Sequence, residues 1–377
     1  MLEILNLLQN NGDNWRDILT SSPYCLKIDE KTINNVDYIL FKYDQIESDF
    51  SDPIVKECRG IILRKNDWKI VCYPFKKFFN YGEGHSDTID FETSKVQEKV
   101  DGSIMKMWYD GNEWIISTNG KIDSTDATCA IGKSFNELFI ESLKNQLDND
   151  ETKYNEFFET LNKHKNYTYI FEMVHPLTRV VIEYDKPDLR HIGTRNNDTY
   201  EELDINIGIQ KPTEYKFNSF DDVVNMSRLL PYSKEGYVVV DANWNRVKVK
   251  SPAYLAVHHL KNNGVISARR VIDIILKGEQ SEVLSIFPEF TDYFNVASEI
   301  FYNFKAELEK NIDDFKNMTF ESKKGFAMVA SKTQLPDFFF QVYDGKYTYD
   351  DLSKYLSEYG GDKIAKKLKI KDKLLKV

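Results

Sequence analysis

Cysteine is scarce in this chain: four in 377 residues. Cys25, Cys58, Cys72 and Cys129 are scattered, and the missing C-x-x-C spacing excludes a zinc ribbon or a dithiol redox motif. Free, buried thiols in a cytoplasmic protein are expected. Histidine is equally thin, with six. His258 and His259 are adjacent and His175 stands in an apolar stretch. No carboxylate or cysteine recurs beside them at metal-ligand spacing, so no histidine metal centre or catalytic dyad is expected. No apolar run approaches the roughly 18 residues of a membrane span. The opening stretch MLEILNLLQNNGDNW has neither the basic region nor the cleavage site of a signal peptide. Internal repeats and low-complexity linkers are lacking as well.

What is present describes a folded, soluble protein: 41% hydrophobic, 14% aromatic and 29% charged residues. The length exceeds one ordinary core and implies two domains. Acidic residues number 60 against 50 basic, a net charge of -10, which at first sight opposes a nucleic-acid partner. A whole-chain sum hides local patches, however. Residues 363–377 hold seven lysines and one aspartate, a local +6 that leaves -16 elsewhere.

The pattern changes near residue 255. Before it, short β-rich runs alternate with turn signals: Val36–Lys42, Gly60–Leu63, Trp68–Tyr73, Ser103–Tyr109, Glu113–Thr118, Thr168–Met173, Glu235–Val240 and Asn245–Lys250. Asp110-Gly111-Asn112 is a hairpin signal, because such turns need residues that tolerate positive φ. A helical insertion is expected over Lys133–Lys165, where Phe135, Leu138, Phe139, Leu143 and Leu147 recur at helical spacing. After it, Val271–Leu276, Tyr293–Leu308, Ser322–Ser331 and Asp351–Leu368 show a 3.6-residue period, broken at Phe287-Pro288-Glu289 and Gly360-Gly361. These patterns predict an α+β domain with an antiparallel sheet over residues 1–255 and an all-helical domain over 256–377.

Chemistry concentrates in short charged blocks within the β-rich part. Lys99-Val100-Asp101-Gly102 is weak alone, but Glu57-Cys58-Arg59-Gly60 and Pro74–Asn80 precede it, and Phe171-Glu172, Glu235-Gly236-Tyr237 and Val247-Lys248-Val249-Lys250 follow. A lysine attacks only when neutral, and neighbouring cations disfavour its charged form. Lys248 and Lys250 lie two apart on a strand, so both point to one face, roughly 6.6–6.8 Å apart along it. Arg246 is expected on that face too. The same cations would hold a polyphosphate. Glu172 and Glu235 lie at the ends of apolar strand segments, where a buried carboxylate needs a partner such as a ribose hydroxyl or Mg²⁺. Gly102 leaves room for close backbone approach, and Phe78-Phe79 offers a stacking face for a purine. Singly, a Lys-Val-Lys strand is ordinarily a solvated face and a Phe-Phe pair ordinarily core. The ordered set is not accounted for that way.

The array resembles the signature of covalent nucleotidyltransferases, most closely the ATP-dependent RNA ligase 1 family typified by the tRNA-repair ligase of T-even bacteriophages. Glu57-Cys58-Arg59-Gly60-Ile61, Lys77-Phe78-Phe79-Asn80 and Glu235-Gly236-Tyr237-Val238 are similar to that family's blocks almost letter for letter. Phe171-Glu172-Met173-Val174 with Arg179-Val180-Val181 resembles its third motif, and Leu40-Phe41-Lys42-Tyr43 its N-terminal segment. The helical blocks Ala327–Ala330 and Pro336–Phe340 resemble its C-terminal domain. The resemblance implies that Lys99 is the nucleophile, taking AMP from ATP and passing it to an RNA 5′-phosphate, which a 3′-hydroxyl then seals. It implies nucleotide contacts from Tyr43, Arg59, Lys77, Phe79, Gly102, Lys248 and Lys250. Glu172 and Glu235 are implied to act through Mg²⁺ (or Mn²⁺) or the ribose, with functional roles also for Asp101 and Tyr254. RNA ends, including nicked tRNA, are the implied substrate, and a monomer acting in the cytoplasm without a membrane is expected.

Two places depart from the family pattern. Asn119, in Ser117-Thr118-Asn119-Gly120-Lys121, stands where the family carries a basic residue, with Lys121 as a candidate substitute. In Gly278-Glu279-Gln280-Ser281, Ser281 falls near a family acidic residue, which puts a metal site there in doubt. DNA ligases and mRNA guanylyltransferases share the lysine chemistry but append an OB-fold with an Arg-x-Asp-Lys motif. No arginine follows Arg270. A non-catalytic RNA-binding protein on the same fold would be expected to lose the nucleophile or the paired lysines, which are intact.

Overall fold

The computed structural model of the protein describes residues 2–129, 131–259, 267–286 and 288–371. Phe287, the side chains of His258 and His259, and residues 372–377 of the lysine-rich tail lie outside the described set. The chain divides into two compact units, Met1–His258 and His259–Val377.

In the first unit, α1 (Glu3–Asn10) and α2 (Trp15–Thr20) precede a sheet ordered β1 (Lys27–Ile33), β2 (Val36–Lys42), β3 (Arg59–Arg64), β4 (Ile70–Cys72), with α3 (Pro53–Glu57) between β2 and β3. Its strands pair antiparallel. Then follow β5 (Phe79–Asn80), β6 (Lys95–Glu98), β7 (Ser103–Tyr109), β8 (Trp114–Thr118), α4 (Phe135–Gln146), α5 (Glu151–Asn162), β9 (Tyr167–Val174), β10 (Asp188–Asn196), β11 (Glu202–Leu203), β12 (Glu214–Tyr215), α6 (Phe220–Leu229), β13 (Gly236–Val240), β14 (Arg246–Lys250) and α7 (Pro252–His259). These strands build two five-stranded sheets, ordered β11-β10-β9-β7-β8 and β12-β6-β13-β14-β5. Pairing is antiparallel except between β14 and β5, which run parallel. The α+β expectation holds.

Strand β2 shows why its sequence reads as a continuous apolar run. Ile39 and Phe41 pack with Leu5 and Trp15 of the N-terminal helices, while Tyr38 and Leu40 pack on the other face with Ile62, Cys72 and Trp108. A strand covered on both faces loses the apolar–polar alternation. The hairpin between β7 and β8 forms as the sequence predicts: Asp110 Oδ1 accepts from the backbone N–H groups of Asn112 (2.6 Å) and Glu113 (2.7 Å). The helical insertion is two helices rather than one. Asp148 and Asn149 adopt φ of +59° and +56° between them, and the Asp150 side chain caps α5. Among the described residues the cysteines form no disulfide, and Cys58 and Cys72 alone are fully buried.

The second unit is helical: α8 (Ala268–Lys277), α9 (Gln280–Ile286), α10 (Thr291–Lys316), α11 (Lys323–Ala330), α12 (Pro336–Tyr343), α13 (Leu352–Tyr359) and α14 (Gly361–Lys367). The stripe Phe294, Ala297, Phe301, Phe304, Leu308, Ile312 and Phe315 of α10 is buried, at the three- and four-residue steps of one helix face. It packs with Ile272 and Ile275 of α8 and Phe338 and Phe339 of α12. Among the described residues, no helix is long and apolar enough to cross a membrane.

Candidate active site

Strand β6 ends at Glu98, and the backbone N–H of Lys99 donates to the Gly236 carbonyl at 2.9 Å. This pairing sets Lys99 beside Glu235, the residue before β13. Lys99 Nζ lies 2.8 Å from Glu235 Oε2, and Lys250, paired with Gly236 in the β13–β14 register, places its Nζ 3.4 Å from Glu235 Oε1. One buried carboxylate is thus shared by the two lysines. Lys250, a cation expected close to Lys99, is bonded to the same carboxylate. Lys248 lies on the same face of β14, its Nζ 5.6 Å from the centre of the Phe78 ring.

Arg59 approaches Phe78 as well, its guanidinium carbon 4.9 Å from the ring centre. Its Nε and Nη1 are buried and have no hydrogen-bond partner among the described residues. Buried donors are nearly always satisfied, so these two mark a place that an anion completes. Arg59 is aimed by a β-bulge: the β2–β3 register shifts between Phe41 and Lys42, so that Lys42 pairs with Arg59 and Gly60 is the extra residue. Gly60 has φ +87°, and a Cβ there would lie 2.8 Å from both the Asn119 carbonyl oxygen and Lys106 Nζ. Only glycine fits.

Glu172 sits within β9 and accepts from the Gly102 N–H at 3.1 Å. Burial pushes its carboxyl up to about 7, and Glu235 adds to the rise, while Lys99, Arg59 and the Gly102 N–H oppose it. That set of neighbours brings Glu172, Glu235, Lys99 and Arg59 into one electrostatic locale. Gly102 does make room for close approach, but of protein: a Cβ there would lie 2.4 Å from the Met173 carbonyl oxygen.

Asp101 braces rather than faces the site. Its Oδ2 accepts from the N–H groups of Val181 (2.9 Å) and Ile182 (2.7 Å), and its Oδ1 from the Tyr254 hydroxyl (2.9 Å). The loop behind β9 and the start of α7 are therefore tied to the lysine motif. Tyr43, Phe50 and Phe79 surround the Lys77 ammonium at 5.1, 5.0 and 5.5 Å from their ring centres. Burial pushes the Tyr43 hydroxyl up, but Lys77, Arg59 and Lys42 outweigh it and the net movement is downward.

Three expectations fail here for physical reasons. Arg246 shares the lysine face of β14 but is not placed to hold phosphate: it is buried, bonded to Glu202 Oε2 at 2.6 Å and stacked 4.1 Å from the Phe75 ring centre. Phe78 and Phe79 do not form one shelf. Phe78 is half-buried between Arg59 and Lys248, while Phe79 is buried against Phe50 and His85, as neighbouring strand residues face opposite ways. Lys121 does not replace a base at Asn119, because its ammonium is 2.5 Å from Asp29 Oδ1. In the helical unit, Gly278 ends α8 in the left-handed region and Ser281 is exposed. No group of three His, Cys, Asp or Glu that could hold a metal exists among the described residues.

Sequence reasoning passed over Lys106 and Lys42. Lys106 is fully buried and Lys42 half-buried, and Lys106 donates to the Gly60 carbonyl at 2.6 Å. The signal was a lone lysine inside the apolar run Ile104-Met105-Lys106-Met107-Trp108. Lys77 and Phe78 also line an open cavity of about 750 Å³ that continues past Lys76, Arg195, Tyr200 and Trp244.

A carboxylate pair among lysine and arginine groups suits a polyphosphate with a divalent cation. Mg²⁺ is commonly held by one or two carboxylates plus phosphate oxygens, and Glu172 and Glu235 are the residues that could supply that donor set.

A family model described as RNA ligase matches residues 57–254, just over half of the chain. Relatives include a putative bifunctional polynucleotide kinase/RNA ligase of Autographa californica nuclear polyhedrosis virus, 30% identical over 76% of this chain and 42% of that protein. An RNA ligase of Rhodothermus phage RM378 is 27% identical over 83% of this chain and 86% of its own length. The chain therefore spans less than half of the first relative and most of the second. A solved archaeal ATP-dependent RNA ligase covers 89% of both chains at 13% identity and a TM-score of 0.44.

Proposed function

This chain belongs to the RNA ligase family, and from that premise we propose that it is an ATP-dependent ligase joining a 5′-phosphate to a 3′-hydroxyl on RNA. The observation that carries this reading is the convergence of Lys99, Lys250, Glu235 and Glu172 beside an Arg59 guanidinium with two buried, unpartnered nitrogens.

In the first step Lys99 gives up a proton, its nitrogen lone pair forms a bond to the α-phosphorus of ATP, and the bond to pyrophosphate breaks. In the second an oxygen of the RNA 5′-phosphate takes the adenylyl group and the nitrogen–phosphorus bond breaks. In the third the 3′-hydroxyl oxygen attacks the 5′-phosphorus and AMP departs. Lys248, Lys250 and Arg59 hold the phosphate oxygens and offset the charge that builds on them, the main work of such a site. Tyr43, Lys77 and Phe79 shape the nucleoside end. Glu172 and Glu235 would hold a divalent cation, which would supply neutralisation of phosphate charge. Asp101 and Tyr254 keep the lysine motif in place. The helical unit is proposed to select the RNA, with a broken tRNA anticodon loop as the favoured substrate.

Incubation of the full chain with [α-³²P]ATP and Mg²⁺ should leave label on the protein, and Lys99→Ala should take none. Absence of label on the unaltered chain would sink the catalytic reading, and label from GTP alone would replace it with a capping reaction.

A further inference from the structure

Lys106 is a fully buried cation that the chemistry above does not use. It lies on β7, opposite Ser117 of β8, and donates to the carbonyl of Gly60 at 2.6 Å. Gly60 is the extra residue of the bulge that turns Arg59 toward Phe78, and an extra residue is left out of the ladder's pairing. The Lys106 ammonium takes up the carbonyl that the bulge exposes.

Asn119 meets the same point. Its carbonyl oxygen and Lys106 Nζ both stand 2.8 Å from where a Gly60 Cβ would sit, and its side-chain Oδ1 is buried without a hydrogen-bond partner. The backbone of residue 119 and the side chain of residue 106 therefore converge behind the Arg59 bulge, from the turn after β8 and from β7. Lys42 and Arg59 complete a cluster of like charge there. Burial pushes the Lys106 ammonium down to about 8, and Lys42 and Arg59 push the same way. A buried cluster of one sign opposes folding unless a ligand of the other sign is part of the design.

We propose that Lys106 is a positioning residue for the nucleotide, supplying from β7 a buried positive charge that holds the Gly60 carbonyl behind the Arg59 bulge. It acts through Gly60 and Arg59 and does not touch ATP. The inference rests on the nucleotide-binding reading above.

The test is the ATP dependence of label uptake by full-length variants. Lys106→Met should fold, since it exchanges a buried cation for an apolar side chain of similar length, and should raise the KM for ATP about tenfold or more. Adding Asn119→Lys to Lys106→Met should bring KM back to within about threefold of the unaltered chain. A packing role would not be rescued by moving a charge to the neighbouring strand. An unchanged KM in Lys106→Met overturns the proposal, and so does a raised KM that Asn119→Lys leaves raised. Should Lys106→Met fail to fold, a folded, labelled double variant supports the proposal and an unfolded one overturns it. No label on the unaltered chain is the different failure, that of the nucleotide reading itself.

Discussion

The hydroxyl of Tyr254 donates to Asp101 Oδ1 at 2.9 Å, joining residues 153 positions apart in the chain. Both are buried, and Asp101 meets its two remaining donors in the Val181 and Ile182 backbone. The bond fixes the lysine motif from the end of the paired-lysine strand. Tyr254→Phe removes one hydrogen bond to a charged group and should cost about 1.5–3 kcal/mol in urea unfolding. An unfolding midpoint equal to that of the unaltered chain would show that the brace carries no load.

Lys248 contributes a cation to the face of β14, its Nζ 5.6 Å from the centre of the Phe78 ring. Lys248→Ala should fold normally and lose label at Lys99 by about a hundredfold, in line with the loss of one charge-stabilising group. Normal labelling would reassign the phosphate cations.

Glu172 supplies a pH dependence with a defined sign. Its folded-state pKa, about 7, stands above the ordinary glutamate value of 4.5, so the folded state prefers the protonated form. The stability this group contributes is full below pH 4.5 and is lost as pH rises through 7. Ionised Glu172, the form that ligates a cation, gains over the same window. Mn²⁺ binding to the nucleotide-free chain should tighten from pH 6 to 8, and Glu172→Gln should abolish most of that change. A slope that survives the substitution would place the titration elsewhere.

Glu202 is bonded to both Arg195 and Arg246 and is buried with them, linking β11 of one sheet to β14 of another. Glu202→Ala strands two buried guanidinium groups and should cost about 3–5 kcal/mol. Label per folded molecule should stay near normal. A specific loss of labelling with stability intact would restore Arg246 to the phosphate site.

The proposed role of the helical unit has its own measurement. A chain ended at His258 should still take label, yet lose about tenfold or more of its preference for a broken tRNA loop over an unstructured strand. Equal preference in both chains would end that assignment.

The strands most legible in the sequence are those with an apolar run, such as Ser103–Tyr109, or a clean apolar–charged alternation, such as Asn245–Lys250. Strand β1, Lys-Ile-Asp-Glu-Lys-Thr-Ile, was not legible, because it edges its sheet and half its side chains face water. Strand β10 was hidden by His191 and its charged neighbours; His191 is buried, its Nε2 satisfied by Thr194 Oγ1 at 2.9 Å. In the site, residue types and order named Lys99, Glu172, Glu235, Lys248 and Lys250. What they could not give was who stands beside whom. Alternation put Arg246 on the lysine face, but the Glu202 carboxylate from another sheet claims it. Lys106 escaped because a single lysine in an apolar strand carries no motif, and its partner is a carbonyl that exists only because of the Gly60 bulge.

On the proposed reading, the carboxylate shared by Lys99 and Lys250 makes the site cooperative toward unlike guests. A cation that takes Glu235 releases two ammonium groups, and an anion that takes those ammonium groups releases Glu235. Each guest thereby raises the other's affinity, and thermodynamic reciprocity makes the two factors equal. Nucleotide and metal would then be coupled through one glutamate before any bond is made or broken.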